Sequence, residues 1–248
     1  MRSFMKDPAG FMDMETFEAC FKDFTPMSIK LNWRGEPLLN KDLIRMIRYA
    51  KLKGVIDIAL NTNGTLLDED MVKQLSVSGL DRLIISADGA SKITYDRIRC
   101  GGKFEVFMKN IIRMWQIYLR HYPSPHVTIQ VCPQDDNIDE INSGLWKKTY
   151  KDYANKLRIG KLHDPQEKYG FKVTKPKFCP SPWVRLTIDW QGNICLCCGD
   201  YLRFWKLGNV KYSNIQDVWQ ANSLNIVRES LRKEGRIISP CDKCSSYC

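Results

Sequence analysis

The chain has 248 residues, 44% of them hydrophobic, and its 38 Lys and Arg outnumber 28 Asp and Glu for a net charge of +10. That length and apolar content support a sizeable core and exclude a disordered chain. No run of about 18 uncharged apolar residues occurs, and Lys6 and Asp7 follow Met1 closely, so a membrane span and a secretory leader are not expected. The expected compartment is a reducing cytoplasm, where clustered cysteines are more often metal ligands than disulfides. Basic residues are spread along helical segments (Arg45, Arg48, Lys51, Lys53), the pattern of a solvated surface, which argues against a nucleic-acid partner.

In chain order, METFEACF has the look of an amphipathic helix in which Cys20 serves as a small buried hydrophobe. From 28 to 161, β-rich runs (28–33, 56–61, 82–87, 126–131 and 156–161) alternate with helical patterns, which argues for parallel strands joined by crossover helices. Asn40 is the expected cap of a helix whose Leu43, Ile44, Ile47 and Ala50 share a face, with Gly54 as its stop. Asp68 is expected to cap the next, carrying Met71, Val72 and Leu75 and ending near Gly79. A third, from about Phe104 to His121, aligns Phe104, Met108, Ile111, Trp115 and Tyr118 in a stripe expected to pack the core.

Composition changes near Pro165, and a boundary is expected at about residue 170, giving domains 1–170 and 171–248. The second starts proline-rich (Pro176, Pro180, Pro182) and then reads as a hairpin: Trp183 to Trp190, the turn Gln191-Gly192-Asn193, and a β-like run into Cys195, Cys197 and Cys198. Seven of the ten cysteines lie here: these three, Cys179, Cys241, Cys244 and Cys248. Cys241-x2-Cys244 has metal-ligand spacing, because the short turn aims both sulfurs at one centre. Spacing alone leaves a four-thiolate zinc site and an iron–sulfur cluster equally open. Cys100 and Cys132 are isolated and read as buried thiols, and His121, His126 and His163 form no ligand-spaced pair.

Ligands of parallel α/β folds bind beyond the carboxyl ends of the strands. There the sequence places Arg34-Gly35-Glu36-Pro37, Thr62-Asn63-Gly64, Ser86 with Asp88 and Gly89, and Gln130 with Cys132. Taken singly, each is also an ordinary turn or helix cap.

Together, GEPLLNKDL, the segment ALNTNGTLLDEDMVKQLSVSGLDRLIISADGASKITYDRIRCGGKFEVFMKNI and the motifs CPSPW, GNICLCCGD and CDKC resemble the radical S-adenosylmethionine (radical SAM) family with a C-terminal SPASM or twitch iron–sulfur module. The resemblance implies an α/β fold, a partial (β/α)6 barrel lacking its first strand and cluster loop, with a small Cys-rich module bearing a β-hairpin. It implies S-adenosylmethionine as cofactor, reduced to a 5'-deoxyadenosyl radical that takes hydrogen from a peptide, sugar or other metabolite, with an electron-donor protein as partner. Gly35 and Glu36 would line the methionine amino group, with Ser86, Asp88 and Arg99 near the ribose or carboxylate; Arg34 stands where many members have glycine. Cys179, Cys197, Cys241 and Cys244 would hold one auxiliary 4Fe-4S cluster, with Cys198 as the alternative to Cys197 and strand alternation sending those two to opposite faces.

The family's C-x3-C-x2-C loop does not occur in the chain, whose one early cysteine is Cys20. Met1 falls where the segment just after that loop is expected. A truncated chain, a misassigned start and a natural loss of the catalytic cluster would all leave this sequence. Without that loop, an iron–sulfur binding or electron-transfer module is the alternative to an enzyme, and a zinc module binding nucleic acid is a third possibility.

Overall fold

The structure, a computed structural model, describes residues 10–120, 125–160, 178–200, 202–233 and 238–244; His121, His163 and Cys248 lie outside them. The chain divides into two compact units, Pro26–Leu162 and Met1–Thr25 with His163–Cys248, each taken here over its described residues. It begins with α1 (Met14–Ala19), capped by Asp13 and grouped with the second unit.

The first unit alternates β1 (Ser28–Lys30), α2 (Leu43–Leu52), β2 (Asp57–Thr62), α3 (Glu69–Ser76), β3 (Arg82–Ser86), α4 (Lys92–Ile98), α5 (Phe104–Tyr118), β4 (His126–Val131), α6 (Ile138–Asn142), α7 (Leu145–Tyr150) and β5 (Lys156–Ile159). The five strands form one parallel sheet in the order β1-β2-β3-β4-β5, the expected partial barrel. In β2, β3 and β4 three consecutive residues are buried, because helices cover a parallel sheet and leave no solvated face to alternate with. The core is built from Ile58, Leu60, Leu83, Ile85, Val127 and Ile129 of the strands, with Ile47, Leu75, Phe107 and Ile111 of the helices.

Asp68 caps α3 through Met71 N as expected, whereas Asn40 does not cap α2. Asn40 accepts from Asp42 N in a turn, and α2 starts after Asp42. The helix α4, capped by Ser91, was not expected. In α5 the buried face is Phe107, Asn110, Ile111, Met114 and Tyr118, so the expected stripe is rotated and shares only Ile111 and Tyr118 with it.

The second unit adds to α1 the elements α8 (Ser181–Val184), β6 (Thr187–Ile188), β7 (Asn193–Cys195), β8 (Lys206–Asn209), α9 (Ile215–Gln220) and α10 (Asn222–Lys233). The expected hairpin is β6 and β7, extended by β8 into an antiparallel sheet. Its turn places Gly192 at φ +86, a left-handed backbone open to glycine, and Asp189 Oδ1 fixes it by accepting from Gln191 N and Asn193 N, both at 2.9 Å. One small core gathers Leu196, Leu224, Val227 and Leu231, and another Ile194, Val210 and Val218, the latter taking Ala19 and Cys20 of the N-terminal segment. Burial pushes the Cys20 thiol up to about 12, and its Sγ donates to Thr16 O at 3.4 Å, so it behaves as a small core hydrophobe. Among the described residues no helix is long and apolar enough to cross a membrane.

Candidate functional site

Parallel strands bring their carboxyl ends to one edge of the sheet, and the loops after β1, β2 and β3 are fixed there by side chains from elsewhere in the same unit. Glu36, after β1, accepts from Leu38 N at 3.3 Å and Thr62 Oγ1 at 2.7 Å through Oε1, and from Asn63 N at 2.8 Å through Oε2. It thereby ties its own loop to the end of β2, while Gly35 beside it takes φ +81. Buried Asn110 of α5 donates to Gly64 O and Thr65 O, which holds the Thr62-Asn63-Gly64 turn. Gly64 has no room for a side chain: a Cβ would meet Phe107 at 2.7 Å.

The loop after β3 is strapped along four consecutive residues. Trp146 Nε1 donates to Ala87 O at 2.7 Å, Asn137 Nδ2 to Asp88 O at 3.0 Å and Tyr150 Oη to Gly89 O at 2.5 Å, while Ala90 N donates to Glu140 at 2.6 Å. The strap aims Asp88, 9% exposed, at Arg99 in an ion pair, and its Oδ1 accepts from Cys132 N at 3.0 Å. Ser86, at the end of β3, accepts from Gln130 of β4 at 3.4 Å. The structure thus brings together Asp88 and Arg99, with Ser86 and Gln130 a short way up the strands, and places Gly35 and Glu36 on a separate loop of the same edge. Desolvation, with a smaller contribution from Asp88, raises the Cys132 thiol above its ordinary range.

In this unit Asn61 Oδ1, Tyr95 Oη and Arg99 Nε are buried without a hydrogen-bond partner among the described residues. Asn61 stands next to the last residue of β2. Buried polar atoms are normally paired, so an orphan acceptor and an orphan donor close to strand ends fit a polar ligand bound there.

In the second unit, Cys179, Cys197, Cys241 and Cys244 line one cavity, walled otherwise by Ser181, Pro182, Leu196, Gly199, Leu231 and Pro240. Three separate stretches supply the thiols. Among the described residues, no group of three or more His, Cys, Asp or Glu is disposed to hold a metal ion. The four thiols share one cavity wall but do not form a closed metal-binding group among the described residues. Thiolate sulfur is the donor type of four-cysteine zinc sites and of iron–sulfur clusters alike.

β7 ends at Cys195, so Cys197 and Cys198 are not strand neighbours on opposite faces; both lie in the loop that follows. Cys195 is fully buried with its Sγ toward Asn193 O, inside the sheet, and Cys198 is not in the cavity wall. Spacing did not mark Asp189, Asp200, Arg203 or Trp205. Buried Asp200 accepts from Phe204 N and Trp205 N, and Arg203, at φ +54, pairs with buried Asp189 at 2.7 Å. The only cue was the Asp that closes GNICLCCGD.

Residues 34–140 match the model of the Radical SAM superfamily, and residues 179–245 match that of an iron–sulfur cluster-binding domain, SPASM. A probable GTP 3',8-cyclase of Methanococcus maripaludis is 38% identical over 97 residues, 39% of this chain and 32% of that protein, so the chain spans about a third of such curated relatives. Among solved structures, anSMEcpe with bound AdoMet superposes with TM-score 0.69 at 17% identity, covering 91% of this chain and 76% of that one. BtrN in complex with AdoMet and 2-DOIA gives 0.62 at 18% identity, covering 98% and 85%. At these identities the likeness is one of fold.

Proposed function

Because the chain belongs to the radical SAM superfamily and carries a SPASM domain, we propose that it is the barrel and auxiliary-cluster portion of a hydrogen-abstracting enzyme that modifies a peptide, sugar or small metabolite. The observation that carries this reading is the meeting of Cys179, Cys197, Cys241 and Cys244 around one cavity; the match of residues 179–245 to an iron–sulfur cluster-binding domain supports them as ligands of a 4Fe-4S cluster. When bound, S-adenosylmethionine and a reduced catalytic cluster supply a carbon radical that takes hydrogen from the substrate.

The chain's own residues bind and orient. Glu36 presents a carboxylate, and Gly35 an unshielded backbone, to a methionine ammonium group. Ser86 and the Asp88–Arg99 pair offer hydroxyl, carboxylate and guanidinium to the ribose and carboxylate of the same cofactor. Asn61 Oδ1 and Arg99 Nε are two buried atoms that such a ligand could satisfy.

No C-x3-C-x2-C sequence exists in these 248 residues, so this polypeptide by itself lacks the thiolates for the catalytic cluster. That favours a second reading, an iron–sulfur binding or electron-transfer module, for the polypeptide acting alone. The test is anaerobic reconstitution with iron and sulfide, followed by metal analysis and an assay for 5'-deoxyadenosine. The expected result is about four iron and four sulfide per chain, visible charge-transfer absorption, and no 5'-deoxyadenosine. Zinc without sulfide would overturn the cluster assignment. Turnover to 5'-deoxyadenosine would overturn the assignment of only one, auxiliary, cluster to this polypeptide.

A further inference from the structure

The cavity of the four cysteines has no continuous framework. Its sulfurs come from three short arms: 178–184 with Cys179, 196–200 and 202–205 with Cys197, and 238–244 with Cys241 and Cys244. Each arm has a polar anchor. In the first, Pro182 O accepts from Arg228 Nε of α10 at 3.0 Å, and that guanidinium also stacks on Trp219, 4.6 Å from its ring centre. In the second, the Asp200 carboxylate, fully buried, accepts from Phe204 N at 2.9 Å and Trp205 N at 3.1 Å, while Asp200 N donates to Cys197 O at 3.1 Å. The same carboxylate therefore closes the loop that holds Cys197 and fixes the backbone of Trp205.

Trp205 then crosses to the third arm: its Nε1 donates to Ser239 O at 2.8 Å, two residues before Cys241, and its ring packs with Ile238 and Cys241 against Leu196, Leu224, Val227 and Leu231. We infer that Trp205 is a positioning residue for the cluster, a latch that sets the spacing between Cys197 and the Cys241–Cys244 pair. The inference rests on the cluster reading above. The physical reason is that 34 residues separate Trp205 from Ser239, so without a fixed link the two arms would reach the spacing of a rigid inorganic core only by ordering at the moment of loading. Groups that orient metal ligands without touching metal carry much of a site's affinity.

The test uses the full chain with Trp205→Phe, which keeps an aromatic ring in the core and removes the N–H donor. Should that variant fail to fold, 3-benzothienylalanine placed at 205 keeps the bicyclic shape without the donor. Three quantities are read after anaerobic reconstitution: iron and sulfide per chain, the rate at which a chelator extracts iron, and the electron paramagnetic resonance spectrum of the reduced cluster. The expected result is extraction at least about tenfold faster than from wild type, together with an altered spectrum, while the apo-proteins unfold at the same temperature. A merely structural Trp would shift the unfolding temperature and leave the spectrum alone. Wild-type extraction rate and spectrum in both variants overturn the latch and leave the cluster reading standing; a wild-type chain that takes up no iron and sulfide overturns both.

Discussion

Glu36 already accepts three hydrogen bonds, so its carboxylate is held in place by the fold before any ligand arrives. Glu36→Gln keeps the shape but turns one end of the group into a donor facing Thr62 Oγ1 or Asn63 N. With hydrogen bonds to charged groups worth about 1.5–3 kcal/mol and the site half-buried, a loss of about 1–2 kcal/mol is expected in urea unfolding. An unchanged midpoint would show that the loop is held by something else. The position of Glu36 was legible in the sequence, because an acidic residue beside a glycine at a strand end is what a ligand loop there requires. Its partners were not, since Thr62 lies 26 residues away and meets it only through the pairing of β1 with β2. The same limit hid the Trp205 link and the Asp88 contact with Cys132 N, because hydrogen bonds between distant residues leave no periodicity in a sequence.

Among elements, strand runs and helix alternation carried through because burial writes them into consecutive residues. The face of α5 did not. Its inward side includes Asn110, a polar residue recruited by the two carbonyls of the turn after β2, and a reading by apolar spacing rotates the helix to avoid it. The strap on residues 87–90 belongs to the same level: α6, α7 and the residue capping α6 supply four side chains to one loop. Gly89 within it admits no side chain, since a Cβ would lie 2.4 Å from Tyr95 N. Tyr150→Phe removes one donor and leaves Gly89 O buried and unpaired, at a cost of about 1–3 kcal/mol. Hydrogen exchange should show faster exchange at Ala90 N and at Cys132 N, which bonds to Asp88, with the β2–β3 ladder unchanged. Protection equal to wild type at both amides would mean that the loop is held without the strap.

Across the whole molecule, the two units draw stability from different sources. Pro26–Leu162 has a large apolar core against a five-stranded sheet. Among its described residues the other unit has two small cores, one of four buried residues and one of three, and its cysteine arms contribute little beyond Ser181, Pro182, Leu196, Gly199, Asp200 and Pro240 to what is buried. Small modules of this kind take folding energy from the inorganic group they bind. Stripping iron from a reconstituted chain should therefore act locally. Amides of 178–184 and 238–244 should lose about tenfold or more of their exchange protection, those of β7 and α10 much less, and those of β2 to β4 none at all. The pattern is set by anchoring: β7 is paired on both sides and α10 is packed through Leu224, Val227 and Leu231, whereas the two arms hold short helical turns tied by Arg228 and Trp205. Uniform loss across both units would mean that the cluster stabilises the entire fold. No loss in the arms would mean that their anchors alone suffice, and that the four thiols are preset for the cluster without being ordered by it.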